Sequence, residues 1–214
     1  MYRICFKAGL FFFFSLYGLL ANAQNLALAN QEKTVTIQEL SGVGYEAIVD
    51  FDYKSVKKDF WRFCNGFAKL ENMRKYYEVI VPPASEEANA SIKIWVELKP
   101  LKARTQIRAL LNPEDMDSAT KTKNQSSADK LIREFKIFFY QKWIQGNFAI
   151  IEKENAKLSR REQKLKQRID RAKEKGSTGP KLKSLETAKT QVSNKLSQGL
   201  ARLEQLKAKL GEVK

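Results

Sequence analysis

The sequence predicts an α+β protein, in which a small antiparallel sheet is covered by two helices and the last helix continues into an antiparallel α-helical coiled-coil hairpin. Three observations carry this. Polar and apolar residues alternate with the period of strands in several stretches between Thr34 and Leu111. An aromatic stripe with helical spacing interrupts them, and two heptad seams occupy Ile144 to Val213.

Met1 to Ala23 reads as a secretory signal peptide. Arg3 and Lys7 form its positive region, Ala8 to Leu20 its apolar core, and Ala21-Asn22-Ala23 the small-residue cleavage site. The expected mature chain therefore begins at Gln24 and is exported, to the periplasm or the extracellular space. An uncleaved N-terminal anchor is the alternative, although the apolar core is short for a membrane span, and no later stretch is apolar enough for one. Removing Arg3 and Lys7 takes two charges from the formal +15, leaving +13. It also removes Cys5, so Cys64 has no disulfide partner in the mature chain. Cys64 falls on an apolar helix face and is expected to be buried.

Residues 24–33 read as a polar linker opening a head domain of residues 24–143. Thr34 to Gln38 is a short strand, Gly42 and Gly44 mark a turn, and Tyr45 to Phe51 is a second strand. A helix from an N-cap at Ser55 to about Arg74 follows, with Val56, Phe60, Phe63, Phe67 and Leu70 as its buried stripe. Tyr76 to Val81 is a third strand, stopped by Pro82-Pro83. Ile92 to Leu98 and Thr105 to Leu111 then alternate cleanly about a connection at Pro100 to Ala103. Such alternation predicts one covered face and one wetter face. Residues 112–127 read as a mobile loop. The helix after Ser127 carries Leu131, Ile132, Phe135, Phe138, Phe139, Trp143 and Ile144, a wide apolar surface, and is expected to run on through Gly146, with a kink there as an alternative.

The hairpin spans residues 144–214, with its turn at 176–180. Its first seam is Ile144, Phe148, Ile151, Leu158, Leu165, Ile169 and Ala172. Its second is Leu182, Leu185, Val192, Leu196, Leu203, Leu206, Leu210 and Val213. Gly176 can end one helix and Pro180 open the next. Facing seam positions in an antiparallel pair must have numbers of nearly constant sum, and from Ala172 with Leu185 out to Ile144 with Val213 the sums are 357 or 358. This register places three polar residues against apolar ones: Asn155 with Leu203, Glu162 with Leu196, and Lys189 with Ile169. Asn155, Glu162 and Lys189 therefore either fix the register or meet a third helix, through a protein partner or self-association.

Taken together, the short β-hairpin, the aromatic-striped helix, the Ile-x-Ile-Trp-Val-x-Leu strand from Ile92 and the Lys/Glu-rich hairpin resemble exported bacterial proteins of unknown function. The resemblance implies the architecture alone and assigns no functional residue.

Chemistry is sparsely represented. The chain has no histidine, which removes the usual general base near neutral pH and the commonest metal ligand. One mature cysteine excludes cysteine-rich zinc sites. Glu114, Asp115 and Asp117 cluster after Pro113, but lack the spaced ligand pattern of an EF-hand. These features predict a non-enzymatic exported binding or scaffold protein with no cofactor and no metal; a carboxylate-based enzyme using Asp50, Asp52, Glu97 or the loop acids is the weaker alternative. Positive charge is the stronger signal. Arg160, Arg161, Lys164, Arg168, Arg171 and Lys175 crowd the distal half of the hairpin and are candidate polyanion-binding residues. A protein partner or self-association through the coiled coil is the leading expectation; an anionic envelope surface, of lipid headgroups, lipopolysaccharide or acidic glycans, is the alternative partner, and a merely solvated face the plainer reading of the charge. Nucleic acid is disfavoured because no aromatic residue accompanies these cations to stack on bases.

Overall fold

The computed structural model describes residues 30–83, 91–111 and 121–213, with side chains in the last segment described from Ser126. The predicted signal peptide and the Glu114, Asp115 and Asp117 cluster lie outside the described residues. The fold is α+β. Among the described residues six strands, β1 (Gln31–Ile37), β2 (Leu40–Val49), β3 (Lys69–Asn72), β4 (Tyr77–Val81), β5 (Ile92–Leu101) and β6 (Arg104–Leu111), accompany three helices, α1 (Tyr53–Cys64), α2 (Lys121–Glu174) and α3 (Pro180–Glu212). The chain divides into two compact units, one ending at Phe139 and the other beginning at Tyr140.

In the first unit the strands form one antiparallel sheet in the order β1-β2-β6-β5-β4-β3. Ala47, Val49, Ile107, Ala109, Val79, Ile94 and Val96 are buried on one face. The core also takes in Val56, Phe60 and Cys64 of α1 and Leu131, Ile132, Phe135 and Phe139 of α2. Aromatic contacts join these elements: Phe60 meets Phe135 edge-on at 5.1 Å and Tyr77 at 5.9 Å, and Phe51 meets Phe139 at 4.9 Å. Cys64 is fully buried, and desolvation pushes its thiol up to about 12.

Several local expectations are corrected. Residues 31–33 are not linker but the start of β1. Their polar side chains hid the strand, yet Lys33 pairs across to Glu46 at 2.7 Å and Tyr45 donates to Glu32. Gly42 and Gly44 lie inside β2, and the turn is at Gln38-Glu39, with Gln38 at φ 56°. Gly44 is needed because a Cβ there would run into the Ala109 carbonyl and the Val35 side chain. The N-cap of α1 is Asp52, not Ser55: its carboxylate accepts from the Ser55 N–H at 3.0 Å and the Ser55 hydroxyl at 2.6 Å. The helix stops at Cys64 rather than Arg74, and residues 69–72 leave it to form β3, which turns back through Arg74 at φ 70° into β4. Residues 121–127, read as loop, belong to α2. The far face of the sheet is drier than expected. It carries the pairs Glu97–Arg108 and Glu97–Lys99, but also a second apolar cluster of Val35, Ile37 and Leu110 with Leu40, Tyr76 and Trp95 against it.

In the second unit α2 and α3 pack as an antiparallel helical pair. Helix α2 passes Gly146 without a break in its helical assignment. Gly176 (φ 63°) ends it as expected, with its N–H bonded to the Lys173 carbonyl and that of Ser177 to the Ala172 carbonyl, a Schellman closure. Gly179 (φ 88°) and Pro180 then open α3. Ile144, Ile151, Leu165, Ile169, Val192, Leu203, Leu206 and Val213 form the buried seam.

Candidate functional site

The polar seam residues Asn155 and Glu162 both lie within the helix pair. Glu162 accepts a hydrogen bond from the Ser193 hydroxyl on the facing helix. Asn155 is buried against Gly199, where an added Cβ would collide with its Oδ1. These contacts lie one helical turn from Leu196 and Leu203, the positions that share their layers. A seam side chain sits between successive residues of the opposite helix, so number sums locate the layer but not the neighbour. Neither end of the Asn155 amide has a hydrogen-bond partner among the described residues. Lys189 is half-buried.

The six predicted polyanion-binding residues are all exposed, five on α2 and Lys175 in the turn directly after it, its N–H still bonded to the Arg171 carbonyl at 3.2 Å. Successive helical residues turn by about 100°, so Arg160, Arg161, Lys164, Arg168, Arg171 and Lys175 fall within a single arc of about 100°. Lys157 falls in the same arc. The stripe runs about 27 Å at 1.5 Å per residue, and Glu162, Asp170 and Glu174 all fall outside it. The seam of Leu158, Leu165 and Ile169 lies about 120° further round, which leaves the cations clear of the helix–helix contact. An ion pair bridging α2 and α3 in this region, Lys173–Glu186 at 3.3 Å, uses a lysine outside the stripe. Geometry therefore gives an acid-free cationic ribbon with no aromatic residue in it.

A second cationic surface, in the head, escaped the sequence reading. Lys54, Lys57, Lys58, Trp61 and Arg62 form one wall of an open groove of about 590 Å³, and Leu70, Asn72 and Tyr77 of β3 and β4 form the other. The spacing on α1 was visible as its polar face, but the opposite wall depends on β3, which had been read as helix. The Lys57 ammonium lies 5.7 Å from the Tyr53 ring, and a hydrogen bond with the Tyr77 hydroxyl raises it above the ordinary lysine value.

One buried cation lies elsewhere in the head. Lys136 is 1% exposed; its Nζ donates to Asn30 Oδ1 at 3.0 Å, and Asn30 Nδ2 donates to the Asp129 carboxylate at 2.7 Å. Burial pushes Lys136 down to about 8, with Asp129 acting in the opposite sense and Arg133 in the same one. The carboxylates weighed for catalysis are dispersed in other roles: Asp52 caps α1, Asp50 lies 3.7 Å from Arg104, and Glu97 pairs with Arg108 and Lys99. Among the described residues no group of three His, Cys, Asp or Glu is placed to hold a metal ion, and no helix is long and apolar enough to cross a membrane.

No family model matches this chain, and neither a curated protein nor a solved structure matches it.

Proposed function

We propose that the chain is a non-enzymatic binding protein that docks on an anionic surface through the cationic ribbon of its hairpin. The observation that carries this reading is the arc itself: Arg160, Arg161, Lys164, Arg168, Arg171 and Lys175 share one exposed face with no acid among them. A solvated coiled-coil flank ordinarily mixes both signs of charge, whereas this face presents one sign over several turns. Lipid headgroups, lipopolysaccharide and acidic glycans offer the matching repeat of negative charge, and the export signal read at Met1 to Ala23 would place the protein beside them. Assembly through the hairpin is less well supported, because Glu162 bonds to Ser193 within the helix pair and Asn155 is buried there against Gly199.

The test is co-sedimentation of the protein with vesicles containing phosphatidylglycerol, beside neutral phosphatidylcholine vesicles, over a range of salt. Binding should be confined to the anionic vesicles and should fall steeply as the screening length shortens towards about 8 Å. Arg160, Arg161, Lys164 and Arg168 changed together to Glu should weaken it by about a thousandfold or more, since losing each cation alone costs about 1 kcal/mol and reversal adds repulsion. Changing Lys166, Lys173, Lys181 and Lys183 to Glu alters the net charge by the same amount outside the arc. Equal losses from the two sets would reduce the effect to net charge and overturn the ribbon.

A further inference from the structure

The head groove combines features that a solvated helix face does not need. Trp61 stands 54% exposed on its wall although a tryptophan is costly to leave in water, and Leu70 and Tyr77 continue that apolar surface across to β3 and β4. Around the indole, Lys57 and Lys58 lie one turn back along α1 and Lys54 two turns back. Arg62 is partly engaged by Asp59 at 3.6 Å, but among the described residues no carboxylate pairs with Lys54, Lys57 or Lys58. Glu71, the nearest acid along β3, is taken by Lys69 at 2.7 Å. Three ammonium groups without a carboxylate partner thus border a flat aromatic surface, and Lys57 is oriented there by its contacts with Tyr53 and Tyr77. Asn72, on the opposite wall, uses its carbonyl oxygen to accept from the Arg74 N–H at 2.9 Å, leaving its amide N–H groups to donate. The volume lies within the range of small-molecule pockets.

We infer that this groove binds a phosphorylated ring compound, with the ring stacked on Trp61 and the phosphoryl group held by Lys54, Lys57 and Lys58. Three cations answer a dianion rather than a single carboxylate, which selects phosphoryl over carboxyl groups. The exposed indole face selects a planar or sugar ring over an acyclic carrier. Both a nucleotide and a sugar phosphate present this chemistry. The site is separate from the hairpin ribbon: it holds a bounded ligand by stacking as well as by charge, while the ribbon has no aromatic residue.

Isothermal titration of the full chain with adenosine 5′-monophosphate, glucose 6-phosphate, glycerol 3-phosphate and inorganic phosphate tests the inference. At least one of the two ring phosphates should bind saturably and more tightly than glycerol 3-phosphate or inorganic phosphate, and their ranking identifies the source. Trp61→Ala, at an exposed position, should weaken the ring compounds by about tenfold or more, the range that stacking on an aromatic side chain supplies, and leave inorganic phosphate unchanged. Lys57→Gln with Lys58→Gln should weaken all four. Reversal of Arg160, Arg161, Lys164 and Arg168 should leave these titrations as they were, so that failure here and failure of the ribbon are separately readable. Absence of saturable binding by either ring phosphate, equal binding with and without Trp61, or loss of binding in the hairpin variant would each overturn the site.

Discussion

Lys136 and Thr105 in the head are buried beside groups that answer them, Asn30 for the ammonium and the Phe51 carbonyl for the hydroxyl, whereas Asn155 in the hairpin is buried beside Gly199 with both ends of its amide unanswered. The difference follows from thickness. A sheet flanked by helices offers a buried polar atom several elements from which to draw a partner. A pair of helices offers only the residues directly opposite, and where these are Gly199 and leucines there is no donor or acceptor to meet. The same contrast governs apolar packing, since the head core interlocks aromatic rings from α1, α2 and β4 while the buried apolar residues of the hairpin seam are all aliphatic.

The largest effect that would expose this contrast is in the cores. Phe60 is almost wholly buried among Phe135 and Tyr77, so Phe60→Ala should destabilise the head by about 3–5 kcal/mol. Leu165→Ala in the seam should fall near the lower end of its class, about 2 kcal/mol, because the neighbouring positions Leu158 and Leu196 are already part-exposed and solvent can fill the gap. Urea unfolding of both variants measures this. Equal losses would mean that the hairpin is packed as tightly as the head.

The hairpin was legible in the sequence because its information is short-range: a repeat of three and four, a glycine to stop one helix and a proline to begin the next. The sheet was legible where one face is apolar, as from Ile92 to Leu98. Strand β3 was not, because Lys69-Leu70-Glu71-Asn72 contains a single apolar residue and follows directly on an aromatic stripe that mimics further helix. Its pairing with Tyr77 to Ile80 is a tertiary fact. The groove was lost with it, since a row of lysines on α1 means little until Leu70 and Asn72 face it. Lys136 was passed over for the opposite reason, lying in so apolar a run that the burial of a charge there had no local sign. The cationic ribbon was seen as a crowd of charges, and only the helical phase, applied residue by residue, separates Arg160 and Lys175 from Lys166 and Lys173.

An intermediate effect concerns Gly199. Glycine in a helix interior costs about 1 kcal/mol relative to alanine, and its retention in α3 is explained by the Asn155 side chain occupying the space of its missing Cβ. Gly199→Ala should therefore destabilise the hairpin by about 1–3 kcal/mol through overpacking. With Asn155→Ala already present, the same change should stabilise it by about 1 kcal/mol. A thermal-melt double-mutant cycle reads the reversal directly. If Gly199→Ala has the same sign in both backgrounds, the two positions are uncoupled and the glycine has some other cause.

The smallest effect belongs to Lys136. Its folded value of about 8 lies below the ordinary 10.5, so between these limits the unfolded chain holds a proton that the folded chain has released. Stability contributed by this group should rise as pH climbs from about 8 to about 10.5 and be flat below that window, where both states are charged. The expected rise is about 1 kcal/mol after allowance for screening and for the opposing field of Asp129. Tyr45 and Tyr76, both held above the usual tyrosine value by burial, act in the opposite direction at the top of the range. The reading is therefore the difference between the protein and Lys136→Met in urea midpoint at each pH. A difference that stays constant from pH 7 to 10.5 would mean that Asn30 and Asp129 keep the ammonium charged throughout, and that the head meets its buried cation fully rather than in part.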